Sequence, residues 1–418
     1  MPRCLVAGLM LAGVSFAAPG DGLDGANGHI FKVDAEGKHF ELLKETEYDP
    51  KTDIGKSRFT VHWSDATVVT RLEELKNFAG ITEPVAAAFY GIDKPNQQAL
   101  EAGEAFEARV AVLHSGSDLQ AAGKSLEGKQ GVVGWFAPSD GEKPRGGVIE
   151  IKGKAVPVSL RQRFSRIYHH QPLKSADLAT GFWKATLQGS EEDGKFVVAS
   201  MEVEPLPDPR KTDDPKLPRV LVIGDSISMN YHDAAKEALE GVANYHRNEG
   251  NAFSSAHGVA NSELWLGDYK EPGFQWDVIQ FNHGLHDLKQ TYDKATDTFG
   301  EYAVPLDDYK ANLEKQIAIL EKTGAKLIWC ATTPVPNDNK SQYARRKGAS
   351  AEFNAAALEV MKRHPEILIN DLYGLIGGSP VFDGWRKQND VHFYKAEEKK
   401  VLGDAVAGAV KRALGKSG

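Results

Sequence analysis

A proline-rich segment divides the chain into two parts whose residue patterns differ. Residues 205–218 contain five prolines with charged residues between them. Proline fixes its own φ angle and lacks an N–H group, so such a segment does not form a helix or a central strand. A chain of 418 residues is also too long for one ordinary hydrophobic core. We therefore predict that residues 205–218 are a linker between two folded domains.

The part before the linker, residues 24–204, is rich in strand patterns. Two short runs of alternating apolar and polar residues flank the turn-forming residues 34–37, which is typical of a β-hairpin. One stretch differs, because four apolar residues follow Asp65 at helical spacing and predict a helix there: Val68, Leu72, Leu75 and Phe78. We predict a mostly β accessory domain over residues 24–204, either sandwich-like or barrel-like.

The part after the linker, residues 219–418, alternates between strand and helix patterns. Apolar runs predict strands at residues 220–223, 277–281, 326–331 and 367–369. Helical spacing predicts helices at residues 234–239, 309–322, 352–363 and 396–414. Such alternation is typical of a parallel sheet that is covered by helices on both faces. In these α/β folds, ligands bind beyond the carboxyl ends of the strands.

Composition and charge exclude several classes of protein. Hydrophobic residues make up 41% of the chain and charged residues 26%, which excludes a mostly disordered chain and a protein with several membrane spans. The net charge is -8, so we predict no nucleic-acid partner, because electrostatic nucleic-acid binders are basic. The two cysteines, Cys4 and Cys330, cannot form a framework of disulfides. The oligomeric state does not follow from the sequence.

The first residues have the pattern of an export signal. Arg3 precedes an apolar run from Leu5 to Phe16, and small residues at the end of the run suit cleavage after Ala17. The run is shorter than the ~20 residues that a helix needs to span a bilayer. We therefore predict a signal peptide at residues 1–17, no membrane span, and a secreted or periplasmic location. A buried N-terminal helix or strand is the alternative.

The strongest chemical signal is Gly224-Asp225-Ser226-Ile227-Ser228, directly after the first strand that follows the linker. A serine at a strand-to-helix junction lies near the N–H groups of the helix N-terminus, which stabilise developing negative charge. A serine in this position can also simply cap the helix. Ser226 is therefore a candidate nucleophile, with helix capping as the alternative.

A second signal, Asn389-Asp390-Val391-His392-Phe393, stands just before the last predicted helix. A serine hydroxyl is a weak nucleophile unless a base removes its proton, and histidine has a suitable pKa. A neighbouring acid fixes the tautomer of that histidine and stabilises its protonated form. His392 is therefore a candidate base and Asp390 its orienting acid. The alternative is an exposed loop histidine without a catalytic role.

A third signal, residues 281–287, ends a predicted strand with the sequence Phe-Asn-His-Gly-Leu-His-Asp. Asn282, or a neutral His286, can donate a hydrogen bond to an oxyanion at the edge of the sheet. The alternative is that these polar side chains cap the turn that follows.

Together the three segments resemble the SGNH, or GDSL-type, hydrolase family over about residues 217–416. The resemblance implies a three-layer fold around a parallel sheet, with Ser226 as nucleophile and His392 as base. His286 stands where the family usually has its oxyanion asparagine, and Asn282 is the alternative donor. One branch of the family is also similar in the Thr-Thr-Pro-Val-Pro segment at residues 332–336. The resemblance implies no metal and no cofactor.

Two positions depart from the family pattern. The acid usually stands three residues before the histidine, where this chain has Asn389, so a Ser-His dyad is an alternative to a triad with Asp390. The family's second block supplies a glycine N–H to the oxyanion hole. Here Gly250 is the nearest glycine, and the N–H of Ala252 is the alternative, because a backbone donor needs no particular side chain.

The predicted reaction is ester hydrolysis through an acyl-serine intermediate. Exported members of the family that resemble this chain often deacylate carbohydrates, and an accessory β domain suits a polymeric substrate. We therefore predict that the substrate partner is an O-acetylated polysaccharide or glycan; the alternatives are a lipid or aryl ester and a carbohydrate-binding protein whose hydrolase-like domain is not catalytic. A zinc hydrolase that uses His283, His286 and Asp287 is another alternative, although the chain has no His-Glu-x-x-His motif.

Overall fold

The computed structural model describes residues 23–44, 58–116, 119–161, 165–341 and 343–416. The predicted signal peptide at residues 1–17 lies outside the described residues, as does Cys4. Internal contacts divide the described residues into two compact units, one built mainly from those up to Leu42 with those between Phe59 and Leu206, and the other mainly from those after Pro207. We call them the β unit and the α/β unit.

The β unit consists mainly of strands that form one sheet. Its strands are β1 (Asn27–Asp34), β2 (His39–Lys44), β3 (Arg58–Leu75), β4 (Val85–Tyr90), β5 (Phe106–Ala108), β6 (Val110–His114), β7 (Gly131–Pro138), β8 (Gly146–Ile151), β9 (Lys154–Leu160), β10 (Arg166–Leu173), β11 (Trp183–Glu192) and β12 (Lys195–Pro205). It also contains the helices α1 (Lys94–Ala102) and α2 (Leu119–Lys124) and a 3-10 helix at Ser175–Thr180. The predicted hairpin around residues 34–37 is confirmed, since β1 and β2 are neighbours.

One part of this sheet closes on itself. The strand order is β12-β11-β1-β2-β3-β10-β6-β4-β7-β8-β9-β5, and β12 pairs with β3 as well as with β11. The closed strands enclose one apolar core, which includes Phe40, Val61 and Leu187, and the remaining strands cover a second core around Phe89 and Phe136. Closure leaves fewer unpaired edges, which protects a sheet from pairing with other chains.

The helix predicted from residues 68–78 is wrong. Val68, Leu72 and Leu75 lie in β3, and Phe78 lies in the turn that follows it. The strand pairs with β10 on one side and, over part of its length, with β12 on the other. These pairings use its backbone N–H and C=O groups, so tertiary context overrides the helical spacing.

The α/β unit is built around a parallel sheet. Its strands are β13 (Arg219–Ile223), β14 (Asn244–Arg247), β15 (Val278–Phe281), β16 (Gln290–Asp293), β17 (Thr298–Tyr302), β18 (Lys326–Cys330) and β19 (Leu368–Asn370). Its helices are α3 (Pro209–Thr212), α4 (Ser226–Ala238), α5 (Ser255–Leu266), α6 (Leu306–Leu320), α7 (Ala349–Met361), α8 (Leu372–Gly378) and α9 (Ala396–Ala413), with 3-10 helices at Glu321–Thr323, Pro380–Phe382 and Trp385–Lys387.

The strand order of the parallel sheet identifies the place where a ligand is expected. Five strands pair in the order β14-β13-β15-β18-β19, and all their pairings are parallel. The chain therefore runs outward from β13 to β14 and then returns to the other side of β13 with β15. Doubly wound sheets bind their ligands outside the carboxyl ends of the two strands where this reversal occurs. In this unit that position lies between β13 and β15.

The helices pack in two groups. Helix α9 packs against α4 and against β15, β18 and β19, while α6 packs against both α5 and α7. Helices α4 and α9 approach closely at Gly403, where an added Cβ atom would lie 2.6 Å from the Cβ atom of Ala234. The predicted three-layer arrangement stays a prediction. None of the helices in the described parts of the chain has the length and apolar character needed to cross a bilayer.

The proline-rich segment is more ordered than predicted. Strand β12 ends at Pro205, and α3 forms a short helix within residues 205–218, where no helix was predicted. Pro209 occupies the start of this helix, where its missing N–H costs nothing, and the carboxylate of Asp208 accepts a hydrogen bond from the N–H of Arg210 (3.0 Å). The guanidinium group of Arg219 then binds the carboxylate of Asp213 (2.6 Å).

Candidate active site

The carboxyl ends of β13 and β15 lie side by side. Ile223 pairs with Phe281, and the N–H of Asn282 donates to the carbonyl oxygen of Ile223 (3.0 Å). The two segments that carry the first and third chemical signals therefore leave the sheet at the same place. This is the edge of the sheet at which doubly wound folds bind ligands.

Ser226 is the first residue of α4. Asp225 caps this helix, since its carboxylate accepts a hydrogen bond from the N–H of Ile227 (2.9 Å). Burial raises the pKa of Asp225, although the Ile227 N–H and the charges of Arg345 and His392 act in the opposite direction. The capping role thus belongs to Asp225, which leaves the Ser226 hydroxyl at the positive end of the helix dipole.

The imidazole of His392 contacts the hydroxyl of Ser226. The distance from His392 Nε2 to Ser226 Oγ is 2.8 Å. The loop of His392 is fixed to the same helix, because the N–H of Phe393 donates to the side-chain oxygen of Asn230 (2.9 Å). The ring of Phe393 also stacks on Trp385, with 4.7 Å between ring centroids. Packing and backbone hydrogen bonds together hold this histidine over the serine.

Asp390 contacts the other nitrogen of the same ring. Its Oδ1 atom lies 2.8 Å from His392 Nδ1 and 3.2 Å from the His392 backbone nitrogen. Partial burial raises the pKa of Asp390, but hydrogen bonds from Tyr394 and His392 outweigh it and lower that pKa. Asn389, at the family's usual acid position, is exposed. The hydroxyl of Tyr394 donates to Asp390 Oδ2, a contact that was not predicted from the sequence.

The loop after β14 forms hydrogen bonds with Gly224, just before Ser226. The sequence did not indicate this network. Asn248 accepts a hydrogen bond from the N–H of Gly224 (2.9 Å), and Arg247 donates to the carbonyl oxygens of Gly224 (3.1 Å) and Gly250 (2.6 Å). The N–H of Ala252 also donates to the Gly224 carbonyl oxygen (3.1 Å). This N–H is therefore already bonded within the protein, and the oxyanion role of Ala252 stays a prediction. Gly250 has a φ of 61°, a conformation that glycine adopts readily.

The side chain of Asn282 holds two strand ends together. Its amide nitrogen donates to the carbonyl oxygen of Cys330 (2.7 Å) and lies 3.4 Å from the hydroxyl oxygen of Thr332. Both amide hydrogens are therefore directed toward the end of β18. The oxyanion role of Asn282 stays a prediction, and in it the amide would have to leave these contacts.

His286 is a candidate for donating a hydrogen bond to the oxyanion. The residue is buried, and its ring meets the edge of Phe253 with 5.1 Å between ring centroids. Its Nδ1 atom lies 3.0 Å from the amino nitrogen of Lys289. Burial, and then the charges of Lys289 and Arg345, lower the pKa of His286 to about 2, so the ring is neutral near pH 7. The contribution of Lys289 was not predicted.

The turn that carries His286 depends on Gly284 and Asp287. Gly284 has a φ of 150°, and a Cβ atom there would lie 2.2 Å from the hydroxyl oxygen of Thr332. Asp287 is buried and accepts hydrogen bonds from the N–H (2.8 Å) and hydroxyl (2.5 Å) of Ser255, at the start of α5. Burial raises the pKa of Asp287 to about 7, although the two Ser255 hydrogen bonds act against this shift.

His283 does not join the other residues of the zinc alternative. Its Nδ1 atom lies 3.2 Å from the carbonyl oxygen of Phe253, and its Nε2 atom lies 3.0 Å from the amide nitrogen of Gln316. The amide nitrogen is a donor, so Nε2 accepts and Nδ1 donates. Both ring nitrogens of His283 are therefore used within the protein, and the structure does not support the zinc set of His283, His286 and Asp287.

No protein-family model matches the chain, and no curated protein matches it in sequence. Solved structures match about half of the chain at low sequence identity. The acetyl xylan esterase AlAXEase is 14% identical, with 46% of this chain and 99% of that chain covered and a TM-score of 0.36. A catalytic mutant of an acetylxylan esterase from Geobacillus stearothermophilus is 15% identical, with 48% of this chain and 95% of that chain covered and a TM-score of 0.33. A GDSL-like lipase from Bacteroides thetaiotaomicron is 14% identical, with 47% of this chain and 89% of that chain covered and a TM-score of 0.34.

Proposed function

We propose that the α/β unit is a serine esterase of the SGNH type, which hydrolyses O-acetyl esters on a polysaccharide or glycan. The observation that carries this proposal is the contact of His392 with two groups at once. Its Nε2 atom lies 2.8 Å from the Ser226 hydroxyl oxygen, and its Nδ1 atom lies 2.8 Å from the Asp390 carboxylate. A base that is oriented by an acid and placed on a hydroxyl is the arrangement that activates a serine.

The first half of the proposed reaction forms an acetyl-serine. His392 Nε2 accepts the hydroxyl proton while Ser226 Oγ bonds to the ester carbonyl carbon, and the carbonyl electron pair moves onto its oxygen. Asp390 stabilises the imidazolium that forms. When the oxyanion collapses, the bond to the sugar oxygen breaks and His392 delivers its proton to that oxygen. The products are the free sugar hydroxyl and an acetyl-serine.

The second half returns the enzyme to its starting state. His392 takes a proton from water, whose oxygen bonds to the acetyl carbon. The bond from that carbon to Ser226 Oγ then breaks, His392 returns the proton to the serine, and acetic acid leaves and ionises to acetate in water. In both halves the oxyanion lies near the N-terminus of α4, whose N–H groups and dipole stabilise negative charge. His286 supplies a further neutral donor in this proposal.

A paired assay tests the proposed chemistry. We expect the full chain to release p-nitrophenol from p-nitrophenyl acetate and acetate from acetylated plant, algal or bacterial glycans, and the Ser226→Ala variant to release neither. Ser190→Ala is a matched control, because Ser190 is exposed on β11 and lies outside the turn that carries Ser226. Equal activity of the wild type and Ser226→Ala would contradict the proposal.

The choice of ester and the need for metal are tested separately. Faster turnover of lipid or simple aryl esters than of acetylated glycans would favour the lipid or aryl esterase alternative. Treatment with EDTA is expected to leave activity unchanged, because the serine route assigns every proton transfer to His392. Loss of activity on chelation, with recovery on adding zinc, would instead favour a metal-dependent hydrolase.

A cleft in the β unit favours a second role, the binding of a glycan chain. The cleft has a volume of ≈ 840 Å³, and its lining includes His114, His170, Gln171, Gln188 and Glu202. The rings of His114 and His170 stack at 4.5 Å, and His170 Nδ1 lies 3.4 Å from the Glu202 carboxylate. Burial, followed by the charges of His114 and His169, lowers the pKa of His170 to about 4. Neutral imidazole, amide and carboxylate groups offer the donors and acceptors that sugar hydroxyls need.

Binding in this cleft can be measured without catalysis. In the Ser226→Ala background, we expect Gln188→Ala to weaken the retention of a bound polysaccharide in affinity electrophoresis. Gln97→Ala is the control, because Gln97 lies on α1 and outside the lining of this cleft. Equal retention of both variants would argue against this second role.

We also propose that the protein is exported, on the pattern of residues 1–17. Expression of the full chain in a bacterial host is expected to give a processed protein outside the cytoplasm, whose first residue is Ala18. Recovery of unprocessed chain in the cytoplasm alone would contradict export.

A further inference from the structure

Lys289 stands beside the candidate oxyanion residue in a fixed position. Its amino nitrogen lies 3.0 Å from His286 Nδ1 and 5.0 Å from the centre of the Tyr343 ring. The backbone next to it is paired, since the N–H of Gln290 donates to the carbonyl oxygen of Ala344 (2.9 Å). The lysine is half-buried between these groups. The contact with His286 is therefore part of the fold and not a chance approach of a long surface side chain.

The chemistry of this contact determines where the proton of His286 lies. A lysine ammonium group has three hydrogens to donate and no lone pair with which to accept. Nδ1 of His286 must then be the acceptor and carry no proton. A neutral imidazole has one protonated nitrogen, so the proton lies on Nε2.

We propose that Lys289 is a positioning residue, which holds His286 in the Nε2–H tautomer so that this N–H donates to the oxyanion of the acyl-transfer reaction. The tautomer assignment stands on the contact alone, and the catalytic consequence rests on the proposed esterase function. In the opposite tautomer Nε2 would present a lone pair to the negative oxygen, which is repulsive. His286 can therefore replace an asparagine only if its proton stays on the correct nitrogen.

The surrounding charges allow Lys289 to act in this way at neutral pH. The groups that act on its amino group are Arg345, Asp225, Asp287 and His286, with the Tyr343 ring on its exposed side. Burial, and then the charge of Arg345, lowers the pKa of Lys289 to about 8, although the two carboxylates oppose this shift. The side chain is therefore mostly an ammonium group at pH 7 and loses its proton as the pH rises above 8.

Nuclear magnetic resonance can report the tautomer directly, without any enzymatic activity. The full chain is labelled with ¹⁵N-histidine, and the His286 signals are assigned by comparison with His286→Asn. At pH 7 we expect Nε2 to be protonated and Nδ1 to be an unprotonated acceptor. In Lys289→Met we expect the Nδ1 signal to shift toward a mixture of tautomers. A protonated Nδ1 in the wild type, or identical spectra of the wild type and Lys289→Met, would overturn the assignment.

Kinetics separate a positioning role from a merely structural one. We expect Lys289→Met to lower kcat by about 10-fold to 10²-fold with little change in KM, which is less than the ~10²–10³ for removal of a whole donor. Lys289→Arg, a permanent donor, is expected to restore kcat and to remove the fall in activity above pH 8. Lys347→Met, which removes the charge of an exposed lysine, is expected to have no effect on kcat.

A double-mutant cycle gives the sharpest distinction. An asparagine side chain needs no tautomer, so the effect of Lys289→Met on kcat is expected to disappear in a His286→Asn background. An undiminished effect in that background would show that Lys289 acts independently of His286 and would overturn the proposal. If the wild-type protein hydrolyses no ester, the proposed function fails, whereas the tautomer is still decided by the spectra.

Discussion

Asp390 and His392 contact each other twice, although a single residue separates them in the sequence. The same carboxylate oxygen lies 2.8 Å from the ring Nδ1 and 3.2 Å from the backbone nitrogen of His392. An aspartate that accepts a hydrogen bond from the N–H two residues later forms a local turn. This turn directs the carboxylate back toward the imidazole. An acid two residues before the histidine can therefore orient its ring.

We predict that Asp390→Asn lowers kcat of the esterase. The amide can still accept a hydrogen bond from Nδ1–H, but it carries no charge to stabilise the imidazolium. The Asp390 side chain is 45% exposed, so we expect a loss of about 10-fold to 10²-fold, smaller than the ~10⁴-fold found for a buried triad acid. Steady-state kinetics at pH 8 measure the effect, and Asn389→Ala is the control. Unchanged kcat in Asp390→Asn would identify a Ser-His dyad.

We predict that Tyr394→Phe raises the pKa of Asp390. The hydroxyl of Tyr394 donates to Asp390 and helps to lower the pKa of that carboxyl. Without it, the pKa of Asp390 rises toward its ordinary value and the carboxylate is protonated at higher pH. The ¹³C chemical shift of the Asp390 carboxyl, followed with pH in the wild type and in Tyr394→Phe, measures this pKa. An unshifted titration would contradict the assigned hydrogen bond.

We predict that Asn282→Ala and His286→Ala act on different properties. Asn282→Ala removes the contacts with Cys330 and Thr332, so it is expected to reduce the free energy of unfolding by about 1–3 kcal/mol with only a small change in kcat. His286→Ala is expected to lower kcat by about 10²–10³-fold. Denaturant unfolding and steady-state kinetics on both variants test this. A specific loss of kcat in Asn282→Ala, with unchanged stability, would identify Asn282 as an oxyanion donor.

We predict that Asp287→Asn weakens the pH dependence of stability. Because the pKa of Asp287 is raised in the folded protein to about 7, the folded state holds this proton more tightly than the unfolded chain. The contribution of the proton to stability is complete below the pKa of the unfolded chain, near 3.9, and is lost as the pH rises through about 7.

Denaturant unfolding between pH 4.5 and 8 measures this effect. The wild type is expected to lose stability over that range relative to Asp287→Asn, by at most about 1.4 kcal/mol per pH unit. Asp233→Asn, a change of an exposed carboxylate on α4, serves as the control and is expected to follow the wild type. Parallel curves for the wild type and Asp287→Asn would show that this carboxyl is ionised in the folded protein throughout the range.

The sequence was informative wherever local pattern and tertiary structure agree. Helices α6 and α9 begin and end within a few residues of the predicted bounds, because each has one continuous apolar face and a regular spacing. Ser226 and His392 were identified because a reactive hydroxyl and a base each stand in a recognisable segment at the end of a strand or before a helix. Their contact of 2.8 Å joins residues 166 positions apart.

The remaining features depend on partners that are distant in sequence. The helical spacing of residues 68–78 gave a wrong helix, because β10 and β12 pair with both edges of β3. The contacts of Asn282 with Cys330 and Thr332 join positions that are about 50 residues apart, and the sequence did not indicate them. Lys289 stands three residues from His286, but nothing in a sequence shows which ring nitrogen a lysine will contact. Side-chain orientation at a turn follows from packing, which local pattern does not encode.

The hydrogen bond from the N–H of Phe393 to Asn230 has a mechanical consequence. The nucleophile stands on the first residue of α4, and the loop that bears its base is tied to the same helix one turn further on. When this helix moves relative to the sheet, the Ser226 hydroxyl and the His392 imidazole therefore move together. The distance between Ser226 and His392 is therefore expected to vary little when the surrounding fold moves. Their distance to groups at the end of β15 has no such restraint.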